Sequence, residues 1–365
     1  MALTGAHIGL AIGFFQFCSP ISQPLFGFLA YKIGSRWLGP GSVAWMIGFI
    51  AISVMVAQQT NDFLLFMIPF VVGSLGSGAF HPLGTKHAAE ESAERAATGT
   101  AIFFLFGQVG LASGPILMGI ILGSVGLSGV YALAILSIPL IPFMAYAMRH
   151  THIAPAISRL TPEMSAETFK QSLRWGALIL LAALIGLRSW TTIGTVSFLP
   201  KLFQDMGWSP TAYGSITGAY WMSSAVLGVL AGNWADRWGR RQVTFATLII
   251  GSIALYFLPL YDNWLAFPLA IVTGVLLGAS HSILVVIAQS LLPGKKAFAS
   301  GVTLGYLFGV GAVGAWGIGW LADSWGLALV LQSGAVLTVM AAILALFLPA
   351  TRETVPHSQT EGVPA

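Results

Sequence analysis

Ionisable side chains inside long apolar segments are the first candidates for chemistry in this sequence. Arg188 lies about 13 residues into the apolar run at 175–200, which is about 20 Å along a helix and close to mid-membrane if the run spans a bilayer. An unpaired cation at that depth is costly, so it is a functional hypothesis by default. Its planar guanidinium could bind a phosphonate or carboxylate group. A structural partner on another helix is the alternative.

Two histidines occupy matching positions in the chain. His81 ends the sequence GAFH at 78–81, and His281 ends GASH at 278–281. Because histidine titrates near neutral pH, each is a candidate for carrying a proton, and a packing role is equally open. Trp190, Tyr220 and Trp221 could give an apolar drug aromatic faces to pack on, although aromatic residues also mark membrane interfaces and helix contacts. Gln108 and Gln289 are weaker polar candidates for the pathway.

The elements that position these residues must be helices in a membrane. Hydrophobic residues make up 56% of the chain and charged residues only 8%, which excludes a water-soluble domain. The apolar runs are too long for barrel strands and do not alternate, whereas a helix satisfies its own backbone in lipid. We therefore predict an all-α polytopic membrane protein with eleven spans, at 6–30, 37–57, 63–85, 98–123, 127–148, 175–200, 211–235, 243–261, 264–291, 298–321 and 326–349.

The basic residues predict the orientation of the spans. Nearly all of the sixteen Lys and Arg residues fall in alternate loops or the tail, which the positive-inside rule places in the cytoplasm. We expect a bacterial inner-membrane protein with a cytoplasmic C-terminus, whose charge requires no nucleic-acid partner. Met1 would then lie outside without a translocated leader. We expect a missing first helix, removed by a late start; a genuine eleven-span protein is the alternative.

Internal repeats support two related halves. TGTAIFFLFG at 98–107 matches SGVTLGYLFG at 300–309, and GFLAYKIGSR at 27–36 matches GNWADRWGRR at 232–241. The span at 175–200 has no counterpart in the first half, which places the absent helix at the N-terminus. Repeats of this kind are typical of transporters whose substrate site lies between the halves.

The longest polar stretch sets the predicted domain boundaries. It separates an N-terminal transmembrane half of five spans from a C-terminal half of six. The predicted units are the N-terminal half at 1–148, a cytoplasmic linker at 149–174, the C-terminal half at 175–350 and a cytoplasmic tail at 351–365.

The sequence GNWADRWGRR resembles the loop signature of the major facilitator superfamily. The glycines permit a tight turn, and the aspartate can face a helix N-terminus or the arginines, so the loop is expected to latch one conformation. Positive-inside anchoring is the alternative, and the first-half copy has Tyr31 in place of the aspartate. The residues of this gating loop are Gly232, Asp236, Arg237, Gly239, Arg240 and Arg241.

A second signature is GQVGLASGPILMG at 107–119, which resembles the glycine-proline motif of antiporters in that superfamily. Closely spaced small residues and a proline predict tight packing against another helix. An antiporter role and generic helix packing are both open. The residues concerned are Gly110, Gly114, Pro115 and Gly119.

Four stretches together resemble the fosmidomycin-resistance protein family. They are HIGLAIGFFQ at 7–16, QPLFGFLA at 23–30, FHP at 80–82 and ILVVIAQSLLPGKKAFASG at 283–301. The resemblance implies a major facilitator fold and proton-coupled efflux of a small drug-like or phosphonate compound by a monomer. Leu83 stands where that family commonly has an acid. Uptake of an organic anion and a non-transporting remnant are the alternatives, and nothing indicates an enzyme, a metal or a cofactor.

Overall fold

The computed structural model describes residues 3–33, 35–91, 96–148, 175–292 and 296–349, and every regular element in these ranges is helical. The predicted linker and tail lie outside the described residues. The helices are α1 (Gly5–Ile33), α2 (Ser35–Thr60), α3 (Phe63–Glu91), α4 (Ala96–Ser124), α5 (Gly129–Ser137), α6 (Leu140–Ala147), α7 (Trp175–Asp205), α8 (Pro210–Trp238), α9 (Arg240–Phe257), α10 (Ala266–Leu291), α11 (Lys296–Trp325) and α12 (Leu327–Ala345).

The helices have the length and composition to cross a membrane. Nine segments of the described residues are long and apolar enough, with α5 and α6 counted as one. Helices α1 and α8 are each 29 residues long and bring the number of span-length segments to eleven, as the sequence predicts. The predicted all-α polytopic fold is confirmed.

The predicted span at 127–148 is interrupted. A 3₁₀ turn at Gly126–Ser128 precedes α5, and α5 is separated from α6 by Ile138 and Pro139. Helix α1 continues through Pro20 and Pro24, so a proline by itself does not cause the break. Around Pro139, which has no N–H to donate, the Ile138 and Ile141 N–H groups donate to carbonyl oxygens three residues back instead of four, so α-helical hydrogen bonding is interrupted. One apolar run therefore becomes two short helices.

The helices form two bundles. In the first bundle, comprising α1 to α6, α3 packs against α1, α2 and α4. In the second bundle, comprising α7 to α12, the central helix α7 packs against α8, α10, α11 and α12. The described residues of the first bundle contain no helix in the position of α7.

This difference appears in the burial of the spans. Between 39% and 56% of the residues in the apolar windows of the second bundle are buried, against 11% to 33% in the first. Helix α7 supplies much of the second core through Leu184, Phe198 and Leu199, which are fully buried. A helix in the centre of a bundle contacts all its neighbours, so its presence raises the buried fraction of every helix around it.

The bundles meet along two helix pairs, α1 with α11 and α4 with α8. We call these pairs the first and second seam. Each seam joins a helix of one bundle to a helix of the other, so relative movement of the bundles must alter both.

Candidate functional site

Arg188 lies in the interior of the second bundle. Its side chain is 3% exposed and points from α7 towards α10. The guanidinium donates from Nε to Ser280 Oγ at 3.1 Å and from Nη2 to the Leu277 carbonyl oxygen at 2.7 Å. These bonds use two of its five N–H donors. No carboxylate in the described part of the chain forms an ion pair with it.

Small residues bring α8 close to α10 beside this arginine. A Cβ atom on Gly274 would collide with the backbone carbonyl oxygen of Tyr220, so only glycine allows the approach. Tyr220 of α8 is 1% exposed and lies within electrostatic range of Arg188. Its hydroxyl has no hydrogen-bond partner among the described residues. Arg188 and Tyr220 thus place a cation and a free hydroxyl in one buried region.

A strip of hydroxyl groups continues from Arg188 along α7. Thr192 and Thr195 follow it by four and seven residues, a spacing that places all three on one helix face. Both threonine hydroxyls are buried and lack a partner among the described residues. Buried polar groups normally have partners, so Thr192 and Thr195 add two unpaired hydroxyl groups to the face of α7 that carries Arg188.

The sequence did not single out Ser280 or this strip. The strip could have been found from the spacing of the two threonines, four and seven residues after Arg188, because this spacing places all three side chains on one side of a helix. The contact with Ser280 crosses between helices and has no local sequence signal.

The two histidines lie in different bundles. His281 follows Ser280 on α10, is partly buried and lies within electrostatic range of Arg188. His81 of α3 is exposed, and its ring meets the Phe103 ring edge-on with centroids 6.5 Å apart. The structure therefore groups His281 with Arg188 and places His81 in the first bundle.

The remaining pathway candidates are dispersed. Trp190 packs against Gly314 and Gly317 of α11 and lines a cavity shared with α12, away from the contact between Arg188 and α10. Gln108 is exposed on α4, and Gln289 is partly buried on α10. Thr195 lines the same cavity as Trp190, whereas Arg188 does not line it.

The predicted gating loop joins α8 to α9. Gly239 has φ of 95°, a left-handed conformation that favours glycine, and its N–H donates to the Ala235 carbonyl oxygen at 2.9 Å. Arg237 is exposed, while Arg240 and Arg241 are partly exposed. The side-chain surroundings of Gly232 and Asp236 lie outside what the structure describes. The turn is present, and the latch stays a prediction.

The glycine-proline motif lies on α4, in the second seam. A Cβ on Gly119 would collide with the Pro210 carbonyl oxygen of α8, and one on Gly214 of α8 would collide with that of Pro115. No described atom lies within 4 Å of a Cβ built on Gly110 or Gly114. These two face away from α8, so the tight packing predicted for all four residues occurs only at Pro115 and Gly119.

Comparison with known proteins places this geometry in context. The family model described as Major Facilitator Superfamily matches residues 1–200 and 178–364. The chain is 29% identical over 365 residues to the Bacillus subtilis (strain 168) protein named "Uncharacterized MFS-type transporter YfnC", covering 97% of this chain and 86% of that protein. It is 24% identical over 356 residues to the fosmidomycin resistance protein of Escherichia coli (strain K12), covering 96% and 86%.

Solved structures share the architecture. The crystal structure of the nucleoside transporter NupG (D323A mutant) superposes with a TM-score of 0.75 at 15% identity, covering 95% of this chain and 91% of that one. At that identity the similarity shows the fold alone.

Proposed function

The chain belongs to the major facilitator superfamily, and on that premise we propose that it exports a small drug-like or phosphonate compound by proton-coupled alternating access. Family membership itself makes the protein a multi-pass secondary transporter and not an enzyme. The identity of the substrate, the direction of transport and the coupling to protons are the parts that we propose.

The burial of Arg188 is the observation that carries the proposal. The guanidinium is 3% exposed near the middle of a span and pairs with no carboxylate among the described residues. Burying a cation costs several kcal/mol, and a buried charge that is left without its counterion destabilises a protein by about 3 to 5 kcal/mol. An anionic substrate that reached Arg188 would supply the missing charge. Phosphonate and carboxylate groups match its planar donors.

The unpaired hydroxyls beside Arg188 support the same ligand class. Tyr220 and Thr192 each offer a buried O–H donor without a described partner. An oxyanion has several acceptor lone pairs, so a cation and two hydroxyls suit it better than they suit an apolar drug.

Proton coupling is assigned to the histidines. The sequence places no Asp or Glu deep in a span, so His281 and His81 are the titratable candidates within the bundles. His281 lies within electrostatic range of Arg188, so an anion at Arg188 would favour its protonated form. Binding of an anionic substrate at Arg188 would thus strengthen binding of a proton at His281, and the proton would in turn strengthen binding of the substrate.

Orientation follows from the basic residues. Lys32, Arg36 and Arg237 belong to the end at which α1 and α8 terminate, which the positive-inside rule assigns to the cytoplasm. Ten of the eleven predicted spans follow α1, and ten is an even number, so in the proposed orientation the C-terminus is also cytoplasmic. Export in that orientation would collect substrate from the cytoplasm.

Uptake of an organic anion is the second candidate, since Arg188 would serve it equally. Accumulation of fosmidomycin in cells that express the protein separates the two directions. We expect accumulation to fall and a protonophore to restore it. A rise in accumulation would assign uptake, and unchanged accumulation with membrane-inserted protein would refute transport of this compound.

Histidine variants test the coupling in the same assay. We expect His281→Gln to lose the dependence on the proton gradient. His7→Gln is the matched control, because His7 lies near the start of α1 and its ring is tilted by 36° against Phe63, with centroids 4.3 Å apart. Equal gradient dependence of His281→Gln and His7→Gln would contradict the assignment of His281.

A further inference from the structure

The two seams between the bundles are built from small residues. A Cβ atom on Gly9 of α1 would lie 2.5 Å from the Ala315 carbonyl oxygen of α11. One on Gly218 of α8 would lie 2.5 Å from the Ala112 carbonyl oxygen of α4. Real side chains do not approach so closely, so each seam requires glycine and allows backbone-to-backbone packing.

The internal repeat relates the seams to each other. The stretches at 27–36 and 232–241 are 205 residues apart, since 232 minus 27 is 205. The same offset carries Gly9 to Gly214 and Gly13 to Gly218. Both bundles therefore use corresponding glycines to contact the other bundle.

Both seams close at only one end of the molecule. Ala112 is fully buried against α8, whereas Leu105, seven residues earlier on the same face of α4, is 58% exposed. On α11, Ala312 packs on Gly13, whereas no described atom lies within 4 Å of a Cβ on Gly305, again seven residues earlier. We call the end with Ala112 and Ala312 the closed end and the opposite one the open end.

At the closed end of the first seam, two hydrogen bonds join α11 to the N-terminus of α1. Asp323, near the C-terminal end of α11, accepts the Gly5 N–H through Oδ1 at 2.6 Å and the Ala6 N–H through Oδ2 at 2.8 Å. Gly5 and Asp323 are 318 residues apart and lie in different bundles. The first N–H groups of a helix lack partners within it, and a carboxylate there also interacts favourably with the helix dipole.

From this geometry we infer that Asp323 is a positioning residue for transport, which clasps the N-terminus of α1 and holds the closed end shut. The inference rests on the proposed alternating access, because opening this end must separate α1 from α11. Both hydrogen bonds of Asp323 break in that movement. Asp323 thus sets how often the closed end opens, without contacting substrate.

The clasp belongs to the first seam alone. The repeat offset of 202, taken from 98–107 and 300–309, carries Asp323 to Ile121 in α4, which has no carboxylate. At the second seam the N-terminus of α8 is capped from its own chain neighbour, since Ser209 Oγ accepts the Ala212 N–H at 3.3 Å. Helix α1 has a local cap as well, since Thr4 Oγ1 accepts the His7 N–H at 3.2 Å. Across the second seam Thr211 Oγ1 donates to the Gly119 carbonyl oxygen at 3.4 Å, so opening that seam breaks a long hydroxyl bond, whereas opening the first breaks two bonds to a carboxylate.

Thiol labelling tests the clasp without any substrate. The sole cysteine is replaced by Cys18→Ser, and Ala315→Cys, fully buried in the first seam, reports on opening. A membrane-impermeant maleimide is added to vesicles, and Thr60→Cys, exposed at the closed end, identifies the vesicles in which that end faces the reagent. We expect Asp323→Ala to raise the labelling rate at position 315 by about three- to tenfold, the ratio that loss of a helix cap produces.

Two further variants make the outcome decisive. Asp323→Asn removes the charge and keeps one of the two acceptor oxygens, so it can still accept one of the two N–H groups and we expect a smaller increase. Asp205→Asn removes another exposed acid at the same end, which pairs with Lys201 within α7, and labelling should match the parent. Equal labelling of the Asp323 variants and the parent would overturn the clasp. Loss of fosmidomycin export alone would instead concern the proposed function, because labelling requires no transport.

Discussion

Replacing Arg188 by methionine separates a substrate-binding role from a structural one. The change removes the guanidinium but keeps a long side chain in the space between α7 and α10. Ser280 Oγ still donates to the Leu277 carbonyl oxygen at 2.8 Å, so neither partner of the arginine is left without a hydrogen bond. Arg188→Met therefore tests the charge itself, with little disturbance of the packing around it.

The expected effect on stability is small because two terms oppose each other. Each lost hydrogen bond to the charged group costs about 1.5 to 3 kcal/mol. Removing an arginine from the middle of a membrane helix returns about 2.5 to 3.5 kcal/mol, and more where the charge is unpaired. We expect the free energy of unfolding of Arg188→Met to stay within about 2 kcal/mol of the parent's.

The expected effect on transport is large. An anion that loses two charge-assisted hydrogen bonds loses about 3 kcal/mol of binding, which is about 100-fold in affinity. Thermal unfolding in detergent measures the stability, and export of fosmidomycin at graded concentrations measures the affinity. Lys201→Met is the control: it breaks a surface ion pair with Asp205, worth at most about 1 kcal/mol, and should transport normally.

Two results would refute this reasoning. A destabilisation of about 3 to 5 kcal/mol would show that Arg188 completes a buried ion pair, as the loss of one partner from such a pair produces. Unchanged export with unchanged affinity would show that the cation does not bind substrate. Retention of transport by Arg188→Lys would favour a point charge over planar recognition.

Two glycine substitutions test the seam and the loop. Gly218→Leu should destabilise the protein by about 1 to 3 kcal/mol and open the second seam, because its Cβ would lie 2.5 Å from the Ala112 carbonyl oxygen. Gly107→Leu is the control and should not destabilise it, because no described atom lies within 4 Å of a Cβ at that position. Equal melting temperatures of the two variants would contradict this prediction. Gly239→Ala should cost about 1 to 2 kcal/mol because φ is 95°, while Gly176→Ala, within α7, should be neutral or stabilising by up to about 1 kcal/mol; thermal unfolding compares the two.

The sequence by itself determined the membrane, the helices and the repeat. In lipid, an apolar run of span length can satisfy its backbone hydrogen bonds only as a helix, so eleven helical segments can be counted from the sequence alone. The break at Pro139 does not follow from the residue type: one span was predicted at 127–148, and α1 continues through Pro20 and Pro24. Arg188 could be recognised because an arginine in an apolar run is costly wherever its partners lie.

Contacts between distant segments were decided only by the tertiary structure. The sequence contains no reason for Arg188 to choose Ser280, or for Trp190 to face α11 instead, because the rotation of α7 depends on its packing against four other helices. Gly110 and Gly119 look alike in the motif, yet only Gly119 faces α8. In the sequence Asp323 is an ordinary polar residue near the end of a helix. Only the tertiary structure brings the backbone N–H groups of Gly5 and Ala6, more than 300 residues away in the chain, to its carboxylate. Periodicity fixes which side chains share a face, while the partner of that face is fixed by how the bundles pack.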